Sequence, residues 1–210
     1  LMKNDFKNFK KDVADSFVAW YDTNPNDIGN QCSRAIAFYD ETGNYIAEDN
    51  EALGNGSLMR TMPCALLNSE KSLELNFIQG DITHNNDICR NILKEYTKII
   101  KAYILGKNLK LEKRELLKPS GYVINTFNNA IYWSESETFE DCIIGAVNHG
   151  GDADTIAGIA GSIAGAKFGF GNIPKRWVES LDKEVVKKLE EFLEYVSKTY
   201  GGSLDVRGND

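Results

Sequence analysis

Apolar positions along this chain recur mostly every three or four residues, the signature of helices that bury one face. Phe6, Phe9, Val13, Phe17 and Trp20 step in this way between Lys and Asp, until the turn-rich Asp22-Thr23-Asn24-Pro25-Asn26 ends the run. A second helix is expected to start near Asp27 and to carry Cys32, Ile36 and Tyr39 before Thr42-Gly43-Asn44 stops it. After a loop, Leu58, Met62 and Leu66 keep helical spacing, with Pro63 most comfortable in the first turn. The longest helix is predicted over Asp87 to Leu105, where Ile88, Ile92, Tyr96, Ile99, Tyr103 and Ile104 form the stripe and Gly106 the stop. Beyond a charged connector, Val123, Phe127, Ala130 and Ile131 make one face, and Phe139, Cys142, Ile143, Ala146 and Val147 the next. Asp154 to Gly169 reads as a small-residue helix, and Val185, Leu189, Phe192, Leu193 and Val196 are expected to close the fold. No alternation of period two is long enough for a strand, and no repeat or low-complexity linker divides the chain. The expectation is a single compact multi-helix domain of the all-α class, spanning residues 1–210.

Composition narrows the function classes. With 42% hydrophobic residues over 210 positions the chain can bury one good core. Its 24 Lys and Arg against 31 Asp and Glu leave a net charge of −7, and no sustained basic stripe is present to displace counterions, so nucleic acid is not an expected partner. The longest weakly charged stretch, Ile156 to Phe170, is broken by Lys167 and is too short and too lightly hydrophobic to span a bilayer. The first fifteen residues alternate Lys, Asp and Phe, unlike a signal peptide. Cys32, Cys64, Cys89 and Cys142 are scattered without a paired spacing, as expected of reduced core residues in a cytoplasmic protein.

The densest chemistry lies in Asn148-His149-Gly150-Gly151-Asp152-Ala153-Asp154-Thr155. Two carboxylates and a hydroxyl at a helix start offer the hard oxygens that Mg²⁺ and Mn²⁺ prefer. Plain N-capping by Asp152 or Asp154 is an equally good reading of so short a motif. The helix behind it repeats small residues at Ala157, Gly161 and Gly165, which indicates close helix packing and a rigid platform. Gly54-Asn55-Gly56-Ser57-Leu58-Met59-Arg60 is a glycine-rich entry to a helix, a phosphate cradle or an ordinary turn. Asp81-Ile82-Thr83-His84-Asn85-Asn86 places one of the two histidines just before the longest helix, to contact a phosphate or to satisfy a turn. Within Asn26-Asp27-Ile28-Gly29-Asn30, Asp27 is a possible cap. No G-x-S-x-G elbow and no zinc-ligand spacing occurs.

In this order the segments resemble the ADP-ribosylglycohydrolase family, most closely the dinitrogenase reductase-activating branch. The likeness is carried by N-D-I-G-N-Q-C-S-R-A-I at Asn26 to Ile36 and G-N-G-S-L-M-R-T-M-P at Gly54 to Pro63. D-I-T-H-N-N at Asp81 to Asn86 and V-N-H-G-G-D-A-D-T at Val147 to Thr155 complete it, and the match runs from the first helix to about Leu189. The resemblance implies an all-α fold, a dinuclear Mg²⁺ or Mn²⁺ centre, and hydrolysis of the N-glycosidic bond between ADP-ribose and a protein side chain, arginine in the closest branch. Asp152, Asp154 and Thr155 would then be metal ligands and Asp27 the catalytic acid or base. Gly54, Asn55, Gly56, Ser57 and Met59 would line the phosphates and proximal ribose with His84 near them, Asn30 would be a further substrate-binding residue, Tyr122 would pack on the nucleotide end, and Gly150 and Gly151 would approach the ribose. Family members also carry an upstream T-D-D-T block, and here the chain runs from Leu1-Met2 straight into the first helix. The expectation is therefore the C-terminal majority of such a domain. Asp5, Asp12 and Asp15 are the nearest substitutes, read as a solvated face. An ADP-ribose-binding module without turnover and a helical interaction protein on the same scaffold stay open as alternatives.

Overall fold

The structure, a computed structural model, describes residues 6–49 and 51–200. Among these residues it is built from α-helices without a strand, apart from an isolated bridge between Gly54 and Tyr122. Helix α1 (Phe9–Tyr21) begins at Phe9 rather than Phe6, because Phe6 adopts a left-handed φ of 64°. Helix α2 (Asn30–Thr42) is preceded by an extended Gly29 at its N-cap, so Asp27 is not a cap and stays outside the helix. The helix expected around Leu58 to Leu66 is two single turns, α3 (Gly56–Met59) and α4 (Met62–Ala65). Pro63 explains the division: it has no N–H to give the Met59 carbonyl, and in a continuous helix its ring would meet that carbonyl.

Helix α5 (Ser72–Asp81) has no counterpart in the apolar pattern. Its buried stripe is polar, running through Ser72, Asn76, Gln79 and Gly80 beside Leu75. Each polar side chain finds a partner: Ser72 Oγ donates to the Cys64 carbonyl (2.6 Å), Asn76 Nδ2 to Thr97 Oγ1 (2.9 Å), and Gln79 Nε2 to the Ser57 carbonyl (3.2 Å). Hydrogen bonding of this kind offsets the cost of burial. Helix α6 (Asp87–Ile104) starts at Asn86, whose Oδ1 accepts from the backbone N–H groups of Ile88 and Cys89. The charged connector before α7 (Val123–Ser134) is held by Asn129, which exchanges two hydrogen bonds with the Leu117 backbone. Thr138 caps α8 (Phe139–Asn148), and α9 (Ala153–Phe168) follows. A 3-10 turn at Phe170–Asn172 then leads to α10 (Lys175–Glu179) and α11 (Lys183–Thr199).

Helix α9 is the central post, packed against α8, α7 and α6, while α6 in turn supports α5 and α1 pairs with α2 and α5. The main core includes Tyr96, Ile100, Ile131, Ile156 and Ile163. Fully burying such side chains stabilises by about 1.5–3 kcal/mol each. A smaller cluster of Phe9, Cys64, Leu67, Leu75 and Val196 ties α1, α4 and α5 to the end of α11. The closing role expected of the last helix is thus confined to its C-terminal part: Val196 is buried, while Val185, Leu189 and Leu193 are exposed. Helices α7, α8 and α9 meet closely because glycines leave room. The space of a Cβ on Gly161 is taken by Ile143 Cδ1 (2.6 Å away), and that on Gly145 by the Trp133 ring. No helix among the described residues is long and apolar enough to cross a membrane.

The glycine contacts separate two outcomes in urea denaturation. Gly145→Ala forces the rigid indole of Trp133 to move and is expected to lose about 1–3 kcal/mol. Gly158→Ala faces open space on α9 and is expected to gain about 0.5–1 kcal/mol through helix propensity.

Candidate active site

A cleft of about 770 Å³ opens between α1, the loop before α2, the turn that enters α3, and the start of α9. Asp27, Asn30, Gly54, Asn55, Gly56, Met59, His84, Asp152, Asp154 and Thr155 all line it, although they come from four separate stretches of chain. Ser57, Tyr122, Gly150 and Gly151 do not. Ser57 is fully buried behind the turn with its hydroxyl beside the Cys89 thiol, since side chains step around a helix by about 100° per residue and only part of this turn faces the cleft. Tyr122 stands exposed at the N-cap of α7, and its neighbour Gly121 reaches the cleft instead. Gly150 and Gly151 form the tight turn that delivers Asp152, both at positive φ. A Cβ on Gly151 would lie 2.8 Å from Pro119, so glycine is required there twice over.

The acidic end of the cleft is assembled by tertiary contacts. Asp152 sits at the N-cap of α9, yet its side chain makes no capping hydrogen bond. Its Oδ2 accepts instead from Asn55 Nδ2 at 2.6 Å, and the same amide donates to Thr126 Oγ1 at 3.0 Å. The capping reading of Asp152 therefore gives way to one in which Asn55 aims the carboxylate. Asp154 is exposed in the first turn of α9, and Thr155 is buried with its hydroxyl 3.7 Å from Met59 Sδ. The positive end of the α9 dipole favours negative charge at this spot.

Two carboxylates and a hydroxyl are the kind of donors that hold a hard divalent cation, which commonly takes one or two carboxylates and completes its shell with water. Among the described residues no group of three or more His, Cys, Asp or Glu side chains assembles, so a second ion finds no ligand cluster of its own there. Asp12 and Asp15 do not reach the cleft; Asp15 on α1 bonds Lys11 and Tyr39. Asp5 lies outside the described residues.

At the other end the His84 ring, 2% exposed, lies against the glycine turn. Its Nε2 is 2.9 Å from where a Cβ on Gly54 would be, and its Cε1 3.0 Å from one on Gly56. Both glycines are needed for this approach. Burial, reinforced by the Arg60 guanidinium, pushes His84 down to about 3, so the ring is neutral at ordinary pH.

The sequence marks several other cleft residues as packing or polar positions and not as part of a site. Arg60, Gln31, Cys32, Phe17 and Trp20 line the cleft as well. Phe17 and Trp20 belong to the stripe of α1, but that stripe is shared between core and cleft, and Trp20 is 43% exposed. Arg60 ends the glycine-rich run, where a lone cation after a phosphate-cradle motif was the available clue. Cys32 departs from the expectation of four core cysteines, being only partly buried and 3.8 Å from Arg60 Nη1. Burial pushes the other thiols up, Cys64 and Cys142 to about 12 and Cys89 to about 11, as befits inert core groups.

Residues 1–118 and 94–203 match the ADP-ribosylglycohydrolase family. The chain is 30% identical over 199 residues to the ADP-ribosyl-(dinitrogen reductase) glycohydrolase of Rhodospirillum rubrum, an alignment covering 85% of this chain and 68% of that protein. It is 29% identical to an ADP-ribosylarginine hydrolase of Serratia proteamaculans, over 87% of this chain and 60% of the relative. Among solved structures, an ADP-ribosylglycohydrolase-related protein complex matches with a TM-score of 0.73 and 27% identity, over 93% of this chain and 75% of that one.

The depressed His84 value has a definite sign in stability. Between pH 6.5 and about 3 the unfolded chain binds a proton that the folded chain refuses. Stability is therefore full above the unfolded value and falls with pH through this window, by up to about 1.4 kcal/mol per pH unit. Urea denaturation across the window is expected to show a flatter pH dependence for His84→Gln than for the wild type.

Proposed function

The chain belongs to the ADP-ribosylglycohydrolase family, and from that premise we propose that it hydrolyses the N-glycosidic bond joining ADP-ribose to a protein side chain, with arginine as the acceptor. What supports this reading is the convergence of four distant sequence blocks on one cleft: Asp27, the Gly54–Met59 turn, His84, and Asp152 to Thr155. The glycine turn and His84 form a neutral, donor-bearing wall suited to the diphosphate and proximal ribose. Asn55 holds Asp152 in place, which gives the acidic end the rigidity that a positioned site needs.

In this reading Asp152, Asp154 and Thr155 hold a Mg²⁺ or Mn²⁺ ion. Bound there, the cation would supply grip on the ribose hydroxyls and polarisation of a water. Asp27, exposed at the cleft edge, donates the proton that the departing guanidine nitrogen takes up. The bond from the anomeric carbon to nitrogen breaks, a bond to the water oxygen forms, and the water proton restores the acid, so that one water is consumed per ADP-ribose released. Trp20 and Phe17 give the opposite wall an apolar surface that helps exclude bulk water.

A second reading rests on the same acidic end. Only two carboxylates meet at the α9 start among the described residues, which favours ADP-ribose binding without turnover. The two separate by assay. The hydrolase reading expects release of ADP-ribose from an ADP-ribosyl-arginine substrate that depends on Mg²⁺ or Mn²⁺ and stops on chelation. Asp152→Asn should abolish the metal-dependent release, and Asp27→Asn should slow turnover by about 10²-fold or more while ADP-ribose still binds. Calorimetric binding of ADP-ribose with no turnover at any metal concentration would favour the binding module, and full turnover by Asp27→Asn would remove Asp27 from the acid role.

A further inference from the structure

Arg60 is half-buried at the base of the cleft without a carboxylate among its partners. Its five N–H groups are all committed to neutral acceptors. Nε donates to Gln79 Oε1 (2.7 Å), Nη1 to the Gly56 carbonyl (2.9 Å) and Cys32 Sγ (3.8 Å), and Nη2 to the Gln79 carbonyl (3.2 Å) and Thr83 Oγ1. The Phe17 ring covers the guanidinium, its centroid 4.7 Å from Cζ. No N–H is left for a ligand, so Arg60 works through what it holds.

The consequential partner is Thr83. Its hydroxyl is fully buried and touches two groups, Arg60 Nη2 and His84 Nδ1, the latter at 2.8 Å. Arginine can only donate, so Thr83 Oγ1 must accept from Arg60. That leaves the single hydroxyl proton, and His84 Nδ1 is the only acceptor within reach among the described residues. If Nδ1 carried a proton instead, the hydroxyl proton would be buried without a partner, an arrangement native interiors avoid. His84 Nδ1 is thus an acceptor, and the ring proton is on Nε2. That nitrogen has no protein acceptor among the described residues and faces the space left by the missing side chains of Gly54 and Gly56, where His84 lines the cleft.

We propose that Arg60 and Thr83 are positioning residues that lock His84 in its Nε2–H tautomer, so that a neutral N–H is presented to an oxygen of the bound nucleotide sugar beside the Gly54–Gly56 turn. The identity of the ligand rests on the function proposed above; the tautomer does not. A histidine free to exchange tautomers would offer an acceptor there part of the time and in that state repel an anionic oxygen. The low proton affinity of the buried ring fits this role, since it keeps the donor neutral across the working pH range.

The test reads the tautomer directly, by long-range ¹H–¹⁵N correlation on ¹⁵N-histidine-labelled full chain, without ligand. His149→Gln assigns the two ring systems, as the chain has two histidines. The wild type is expected to show His84 with Nε2 protonated and Nδ1 bare. Thr83→Val and Arg60→Lys, which lacks the planar fork, are expected to admit the other tautomer and to weaken ADP-ribose binding about fivefold to tenfold in calorimetry. Thr83→Ser, which keeps the hydroxyl, is expected to restore both. A wild-type His84 protonated on Nδ1, or an unchanged tautomer in folded Thr83→Val and Arg60→Lys, overturns the proposal. A wild type with the expected tautomer that binds no ADP-ribose upholds the lock and overturns the ligand reading alone.

Discussion

One half-buried cation organises the site. Arg60 reaches the first residue of α3 through the Gly56 carbonyl, α5 through Gln79, the loop before α6 through Thr83, α2 through Cys32 and α1 through the Phe17 ring. A guanidinium in an apolar setting is costly unless every donor is met, and here each one is. Because these partners come from five segments, the charge is satisfied only when all of them are in place together. That is a constraint on geometry more than a source of net stability, and it accounts for the burial of polar Gln79 on α5. Gln79 serves Arg60 with both its side chain and its carbonyl, while its own amide holds the Ser57 carbonyl.

The second constraint is the close packing around α9. Small residues let α8 and α7 approach until Ile143 and Trp133 occupy the space where glycine lacks a side chain. The post is then rigid enough that its first turn can display Asp152 and Asp154 at the cleft without a local cap. Asn55, donating from the opposite wall, aims the Asp152 carboxylate in the place of the missing capping bond. The two constraints meet in the Gly54–Gly56 turn. It gives Asn55 to the acidic end, gives a carbonyl to Arg60, and leaves room for His84 beside it.

Much of the helical skeleton was legible because burial along one face leaves a three-to-four-residue rhythm. α6, α7, α8 and α9 follow that rhythm, although Ile88 and Val147 of the expected stripes are left exposed. It fails where burial and apolarity part company. α5 is invisible because its inward stripe is Ser72, Asn76, Gln79 and Gly80, whose partners lie on other elements. α11 errs the other way, with an apolar stripe at Val185, Leu189 and Leu193 that the fold leaves exposed. Local rules also misjudge the Leu58 to Leu66 run, since spacing says helix and Pro63 divides it.

By itself the sequence determined the all-α class, the four polar blocks with candidate chemistry, and the residue types suited to a cation and a phosphate. Those follow from periodicity, from glycine placement and from donor chemistry, each readable within a short window. Only the tertiary structure decided that the blocks share one cleft, that Ser57 faces the core while Arg60 underlies the cleft, and that Asp152 answers to Asn55 rather than to its own helix. It also decided the state of His84, because burial and the proton order of Arg60, Thr83 and His84 depend on groups that sequence distance keeps apart. Desolvation and hydrogen-bond direction are properties of the assembled site, so no local pattern could have carried them.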